Sequence, residues 1–311
     1  MSTVAVEVAG REAKADRSVG DDPSWLGRLM LAPAVIYIAL VVAVPFLLAI
    51  SYSFSTVTVG SSTPRFVGLE NFRSALDDPT FLRALRNTFL FALSSQALVM
   101  ILASILAIAL QRDFRGKWLV RLLILLPWVA PISLGSIGWL WIFDPIYSVI
   151  NWSLRAVGIL RGGAWPVWLG QPELAMISII AVQVWRTLPL ATVISLGGLS
   201  SISQDIHDAA EMDGAGFFRH LFVITLPLVF PILIVAVLFG LVFSVTDMIV
   251  VYVLTRGGPF DSTQVLASLS FFKGIDAGDL SGGAAVALFL LPVLAACVIL
   301  LLRLARRAEV T

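Results

Sequence analysis

The sequence predicts an all-α membrane protein with six transmembrane helices. Of its 311 residues, 59% are hydrophobic and only 13% are charged, against about 25% charged in an average soluble domain. The charged residues cluster between long apolar runs, so a soluble protein could not place a solvated surface on every helix. The runs are continuous and lack the alternation of a membrane β-strand, which favours helices over a barrel. These apolar surfaces are therefore expected to face lipid.

The spans follow from the length of each apolar run. A helix needs about 20 mostly apolar residues to cross the hydrocarbon core of a bilayer. Six stretches meet this requirement, at about 30–54, 88–110, 119–143, 174–199, 222–254 and 284–302. The fifth is longer than necessary, which is typical of a tilted helix or of one that continues beyond the membrane. Together they predict one transmembrane domain, 25–305, between a polar N-terminal segment, 1–24, and a short tail, 306–311.

Basic residues near the span ends predict the orientation. They are grouped in the second loop and after the last span: Arg112, Arg115, Lys117, Arg121, Arg303, Arg306 and Arg307. Even-numbered loops and both termini are therefore expected to be cytoplasmic. The segment 1–24 has no apolar core of a signal peptide, and we expect a disordered tail. Four arginines in the first outer loop argue against this orientation (Arg65, Arg73, Arg83 and Arg86), and an interfacial helix is expected there at 79–87.

Composition and motifs limit the chemistry of the chain. The net charge is +1, which does not indicate nucleic acid as a partner, and the chain has one cysteine, Cys297, and two histidines. A disulfide framework and a Cys-based zinc site are thereby excluded. The sequence also lacks GxxxxGK[ST], HExxH and GxSxG, so we expect no catalytic residue and no cofactor or metal in this chain.

The loop between the fourth and fifth spans, 203–220, is unlike a simple connector. Ser203 is suited to cap a helix, and Asp208 in its first turns complements the helix dipole. Gly214 and Gly216 then allow a sharp turn before a new apolar face begins. The segment predicts a short helix, a turn and a second helix. On composition alone, an amphipathic connector lying on the lipid headgroups explains it equally well.

The same segment resembles the EAA motif of binding-protein-dependent ABC importer permeases. Asp208-Ala209-Ala210 is followed after three residues by Gly214, and nine residues later by Ile224-Thr-Leu-Pro227. Asp208 stands where the family usually has Glu, with the charge retained. In that family the element is the coupling helix, which docks in a cleft of the cytoplasmic ATPase. The resemblance assigns this role to Asp208, Ala209, Ala210, Asp213, Gly214 and Ala215.

Further motifs are similar to those of maltose/trehalose-type sugar importers, on the MalF-like side of the permease heterodimer. They are Val67–Phe72, Leu126-Pro127-Trp128, Trp185–Pro189 and Asp247–Pro259. The resemblance covers about 25–305 and implies a type I ABC importer permease fold in a bacterial plasma (inner) membrane. It also implies four kinds of partner: a second homologous permease, two cytoplasmic ABC ATPase subunits that carry ATP and Mg, an extracytoplasmic solute-binding protein, and a sugar.

Two charged residues lie inside the predicted spans, Arg186 and Asp247. A buried charge costs at least a few kcal/mol at the bilayer centre, about 3 on insertion scales, and usually faces a cavity or a partner. Helical register places Gln183 and Thr187 on the face of Arg186, and Gly240 and Ser244 on the face of Asp247. By resemblance, the sugar-contacting positions are Trp128, Ile132, Gln183, Arg186, Thr187, Leu190, Gly240, Ser244 and Asp247. A purely structural Arg186–Asp247 pair is the alternative.

Other functions for such a chain are an ion-coupled secondary transporter, a membrane-embedded enzyme, and an ABC permease for a non-sugar solute such as a glycerol-phosphate ester. A secondary transporter normally carries paired repeats, and 30–143 and 174–302 show no convincing symmetry. It would also have no use for a docking loop. The prediction is therefore a permease for a sugar such as a disaccharide, trehalose or maltose among them.

Overall fold

The computed structural model describes residues 23–60, 63–161 and 165–309. The described chain is helical almost throughout, with one two-stranded antiparallel sheet that pairs Ser55 with Phe66. The elements of the first half are α1 Pro23–Ile38, a π-helical turn Ala39–Ala43, α2 Val44–Ser53, β1 Ser55–Thr56, β2 Arg65–Phe66, α3 Glu70–Asp77, α4 Pro79–Gln111, α5 Lys117–Val129, α6 Ile132–Ile142 and α7 Val149–Ala156. Those of the second half are α8 Pro172–Ser200, α9 Gln204–Met212, α10 Phe217–Arg219, a π-helical turn His220–Thr225, α11 Leu226–Thr246, α12 Ile249–Leu254, α13 Leu266–Phe271, a π-helical turn Phe272–Asp276, α14 Leu280–Leu288 and α15 Leu290–Glu309.

The fold is the predicted helical membrane domain. Five helical stretches of the described chain are long and apolar enough to cross a bilayer: Trp25–Ser53, Pro79–Gln111, Pro172–Ser200, Phe217–Thr246 and Leu280–Leu304. A sixth crossing requires α5 and α6 together, and this pair is bent by 101°. The five helices and this bent pair overlap the six stretches that the hydropathy of the sequence predicts.

The third span is broken, whereas the sequence predicts one continuous helix over 119–143. Helix α5 ends at Val129 and α6 begins at Ile132. Ala130 is extended, with φ −67° and ψ 137°, because the ring of a proline disfavours helical backbone in the residue before it. Pro131 follows Ala130 and also lacks the N–H that would continue the helix.

The fifth span ends earlier than predicted, so a continuous helix over 222–254 is wrong. It begins at Phe217 and ends at Thr246, after which Asp247 is extended and α12 forms a separate helix. The Asp247 carboxylate accepts a hydrogen bond of 2.7 Å from the backbone N–H of Ile249. Such a local bond competes with helix continuation, as Asp does at turns.

The predicted interfacial helix at 79–87 is also wrong, because these residues are the first turns of α4 itself. Asp78 caps this helix, since its carboxylate accepts from the N–H of Thr80 at 2.8 Å. Pro79 occupies the first turn, where a missing N–H costs nothing. The amphipathic start and the apolar span are thus one helix of 33 residues.

The described residues up to Ser51 form one compact unit, and the described residues from Tyr52 onward form a second. Within the first unit, the large apolar side chains of the described helix are exposed along its length. A helix that is apolar on all sides suits surroundings of lipid or of another chain.

The second unit is centred on α4, α8 and α11, and α15 packs on the outside of α11. Small residues allow the helices to approach closely, as membrane helices commonly do. Ala103 and Ala107 of α4 are fully buried, and a Cβ at Gly198 of α8 would lie 3.1 Å from the side chain of Ile232 of α11. These three helices carry the polar residues described next.

Candidate functional site

Arg186 of α8 and Asp247 form an ion pair in the core of the bundle. Their side chains are only 19% and 7% exposed, respectively. Asp247 reaches α8 because α11 ends one residue before it, and the extended backbone at Asp247 changes the direction of the chain there. The early end of the fifth span therefore places the carboxylate beside the guanidinium.

A second polar cluster is buried one helical turn before the ion pair along α8 and α11. The side-chain amide of Gln183 donates to the hydroxyl oxygen of Ser244 at 3.1 Å, and that of Gln96 donates to the same oxygen at 3.3 Å. Gly240 leaves room for the amide of Gln96, which a Cβ at this position would displace. The side-chain oxygens (Oε1) of Gln96 and Gln183 are buried without a hydrogen-bond donor among the described residues.

Sequence reasoning missed Gln96. No motif includes it, and it lies in the second span, far along the chain from Ser244. A lone amide in an apolar run was the available signal, since an amide in lipid needs a partner.

The remaining predicted positions lie around these two clusters. Trp128 of α5 is exposed and packs edge-on against Phe243, with ring centroids 5.7 Å apart. Phe243 is one turn before Asp247, whose N–H donates to the Phe243 carbonyl at 3.1 Å. The Trp128–Phe243 pair is therefore linked to Asp247 through the backbone of α11.

Three further positions are less directly placed. Thr187 is buried, and its hydroxyl donates within α8 to the carbonyl of Gln183 at 2.8 Å. Ile132 at the start of α6 packs, partly buried, against the main apolar core. Leu190 is partly buried one turn beyond Arg186. The structure thus brings together Gln183, Arg186, Gly240, Ser244 and Asp247, while Trp128 packs against Phe243.

The predicted coupling segment has the expected helix, turn and second helix. Helix α9 ends in a pair of backbone bonds, from the N–H of Ala215 to the carbonyl of Ala210 at 3.0 Å and from the N–H of Gly214 to that of Glu211 at 3.0 Å. This is the Schellman arrangement, which needs a left-handed residue. Gly214 supplies it with φ +71°. Ser203 occupies the N-cap position, but its side chain makes no capping bond, contrary to the expectation from sequence.

The two faces of α9 differ. Asp208, Ala209 and Met212 are exposed, whereas Ala210 is buried against the chain itself. On the inner face, His207 Nδ1 lies 2.9 Å from His220 Nε2, which ties α9 to the start of the fifth span. No pattern in the sequence predicts this contact between the two histidine side chains.

A cleft of about 830 Å³ separates α9 from the loop between the second and third spans. Its lining includes three basic residues, Arg112, Lys117 and Arg121, and the acidic Glu211. Lys117 donates to Asp113 at 3.0 Å, and this contact holds the pKa of the Asp113 carboxyl below its ordinary value. The coupling segment therefore adjoins a basic surface.

Comparison with known proteins identifies the family. Residues 83–310 match the model of "Binding-protein-dependent transport system inner membrane component". The chain is 32% identical to the sulfoquinovosyl glycerol transport system permease protein of Agrobacterium fabrum, over 84% of each chain. It is 30% identical to the trehalose/maltose transport system permease protein of Thermococcus litoralis, over 90% of this chain and 94% of that one.

A solved structure shows the same fold. A bacterial alginate ABC transporter, in complex with an alginate pentasaccharide-bound periplasmic protein, superposes with a TM-score of 0.77 at 19% identity, over 92% of this chain and 95% of that one. The chain therefore belongs to the family of inner-membrane components of binding-protein-dependent ABC import systems, as a multi-pass permease that is not itself an enzyme.

Proposed function

We propose that this chain is one of the two permeases of an ATP-driven sugar importer and that it lines the path of a neutral disaccharide of the trehalose or maltose type. The observation that carries the proposal is the Arg186–Asp247 ion pair, together with the aromatic pair of Trp128 and Phe243. Phe243 lies one helical turn before Asp247 and accepts a hydrogen bond from its backbone N–H. A sugar presents flat apolar ring faces, which stack on aromatic side chains. Its paired hydroxyls suit a guanidinium and a carboxylate.

The charge balance of the pair supports a neutral substrate over an anionic one. Asp247 already compensates the guanidinium of Arg186. A phosphate or sulfonate entering here would meet the carboxylate as well as the cation, at a cost in a poorly solvated site. A glycerol-phosphate ester is therefore the second candidate for the transported solute. An anionic sugar is also tested, because one relative is a sulfoquinovosyl glycerol permease.

Transport follows an alternating-access cycle. A solute-binding protein delivers the sugar to the outer face of two homologous permease chains. Two cytoplasmic ATPase subunits bind ATP and Mg, and their closure moves α9 of this chain through the exposed residues Asp208, Ala209 and Asp213. The spans change state because the ATPase interacts differently with the two conformations. Both termini of this chain lie in the cytoplasm.

The test is uptake by the purified assembly in proteoliposomes with its binding protein. Radiolabelled trehalose and maltose are compared with glycerol 3-phosphate and a sulfonated sugar glycoside. Accumulation of a neutral disaccharide that depends on ATP is expected. Transport of the anionic solutes alone would contradict the substrate assignment, and uptake driven by an ion gradient without ATP would contradict the mechanism.

A further inference from the structure

The loop from Thr255 to Gln264 joins α12 to α13 at the end of the bundle opposite the coupling segment. Asn87, near the start of α4, contacts this loop, whereas Gln111 at the end of α4 lines the cleft beside α9. With α9 in the cytoplasm, this loop faces the outside. The placement rests on the orientation given under the proposed function.

Phe260, at the tip of this loop, is 86% exposed. Single exposed apolar residues are common on proteins, but the backbone here is unusual. Phe260 and Asp261 have φ of +53° and +59°, a left-handed conformation that is rare for a bulky residue. Such backbone persists only where the surroundings enforce it, and it is concentrated at functional sites.

A dense set of contacts enforces this conformation. The buried amide nitrogen of Asn87 carries two N–H donors and lies 3.0–3.2 Å from three loop carbonyl oxygens, those of Asp261, Ser262 and Gln264. Arg83 donates to the carbonyl of Phe260 at 3.3 Å and lies 3.9 Å from the Asp261 carboxylate. These contacts therefore hold the backbone of the loop in place, while the Phe260 side chain stays exposed.

The base of the loop is fixed as well. The hydroxyls of Thr255 and Thr263 lie 2.7 Å apart, and that of Thr263 also donates to the carbonyl of Gly258 at 2.7 Å. Thr263 is completely buried. Preorganisation of this kind lowers the entropic cost of binding, and exposed aromatic side chains are frequent energetic centres of protein interfaces.

The surroundings favour a protein partner over lipid. The Arg83 bond places Phe260 level with the second turn of α4, and Arg86 is exposed one turn further in. The apolar run of this span begins near residue 88, about 7 Å inward from Arg83 at the helical rise. Phe260 is thus flanked by charged groups and lies beyond the apolar run of this span.

We propose that Phe260, displayed by the loop Thr255–Gln264, is an anchor by which this permease binds the sugar-loaded solute-binding protein. The partner presents an apolar pocket with polar surroundings, into which the ring inserts while Arg83 and Asp261 lie at the rim. This inference rests on the proposed function, which supplies the partner and the outer location.

The test uses the complete assembly in lipid nanodiscs and the sugar-loaded binding protein. Phe260→Ala is expected to weaken binding by about tenfold, the scale of an interface centre, with basal ATPase activity and complex yield unchanged. Phe260→Tyr should bind within about twofold of wild type. Phe66→Ala is the matched control, because Phe66 lies in the first outer loop and is 76% exposed. Equal binding by Phe260→Ala and wild type, or an equal loss with Phe66→Ala, would overturn the assignment.

Two further measurements separate the causes. Thr263→Val keeps Phe260 but removes the hydroxyl that fixes the loop, so binding should weaken by several-fold; unchanged binding would overturn the role of rigidity. In a Cys297→Ser background, Phe260→Cys should react with a water-soluble maleimide and be protected by the binding protein. Failure to react without the binding protein would place this side chain in lipid and overturn the proposal.

Stimulation of the ATPase by the sugar-loaded binding protein distinguishes this inference from the function on which it rests. A wild-type assembly whose ATPase is not stimulated by any sugar-loaded binding protein would overturn the proposed function, and this inference with it. Normal stimulation of wild type and Phe260→Ala alike would overturn only the docking role of Phe260.

Discussion

At the scale of single residues, the Arg186–Asp247 pair is the point at which a structural and a functional role can be separated. Removing one member of a buried pair leaves an uncompensated charge, which costs about 3–5 kcal/mol if the pair only holds the helices together. Removing both would then restore assembly. A sugar contact predicts a different pattern, because the loss would appear in transport.

We expect Arg186→Gln and Asp247→Asn each to assemble but to transport poorly, and the double variant to transport no better than the weaker single variant. Uptake and complex yield are measured for all four proteins. Thr246→Val is the control, because among the described residues the Thr246 hydroxyl bonds only within its own helix, to the Val242 carbonyl at 2.8 Å. Recovery of transport in the double variant would show that the pair is structural.

The sequence predicted both charged residues and Gln183, Gly240 and Ser244 beside them. It could not show that Arg186 and Asp247 meet, because their distance depends on where the fifth span ends. Nor could it show Gln96, whose partner Ser244 is 148 residues away. Periodicity places a residue on a face of its own helix but does not say which helix lies opposite.

At the scale of elements, the turn after α9 depends on one glycine. A left-handed conformation costs a residue with a side chain about 1–2 kcal/mol. Gly214 has this conformation, whereas Gly216 has φ −68°, and a Cβ at either position meets nothing within 4 Å. The two glycines therefore differ in backbone strain alone.

Gly214→Ala is expected to reduce uptake and sugar-stimulated ATPase activity while the protein still inserts, and Gly214→Asp should abolish uptake. Gly216→Ala should transport nearly as wild type does. Both activities and the co-purification of the ATPase are measured in parallel. Normal coupling in both Gly214 variants would show that the shape of this turn does not matter for ATPase docking.

The start of α4 gives a second test at this scale. Burial raises the pKa of Asp78, but the hydrogen bond from Lys273 at 2.9 Å and the one from the backbone of Thr80 outweigh it, so the pKa lies below its ordinary value. A carboxyl with a lowered pKa stabilises the fold above its unfolded pKa of about 3.9. That contribution is lost as the pH falls through the folded pKa.

Asp78→Asn retains a good capping side chain and removes the ion pair, so it should lower the unfolding temperature at neutral pH by less than Asp78→Ala does. The additional loss in Asp78→Ala corresponds to a helix cap, about 1 kcal/mol. Thermal unfolding is followed at pH 7 and at about pH 3, below the unfolded pKa. The difference between wild type and Asp78→Asn should shrink at the lower pH; a difference that persists there would exclude the charge as its cause.

At the scale of the whole molecule, hydropathy located the five long apolar helices and the bent pair α5–α6 because lipid imposes length and apolarity on each span. It did not reveal the breaks at Ala130 and Asp247, since each depends on one residue whose backbone preference overrides an apolar run. Hydropathy also did not show where α4 begins, because its amphipathic first turns and its apolar span form one helix.

The orientation of the whole chain is predicted from its basic loops and can be tested with single cysteines in a Cys297→Ser background. A membrane-impermeant reagent applied to intact cells should label Thr63→Cys, Gly163→Cys and Asp261→Cys. It should not label Arg115→Cys, Asp213→Cys or Arg306→Cys. Gly163 lies outside the described residues, so its substitution rests on the sequence alone. Labelling of Asp213→Cys from outside would reverse the orientation.

The close approach of Gln96 to Gly240 sets the alignment of three helices. Apolar helix surfaces slide past one another at little cost in a bilayer, because lipid chains and leucine side chains are equally apolar. A shift of α4 by a single residue translates it by about 1.5 Å and turns it by about 100°, which would carry the Gln96 amide away from Ser244 into hydrocarbon. The amides thereby favour one register of α4, α8 and α11 over its neighbours.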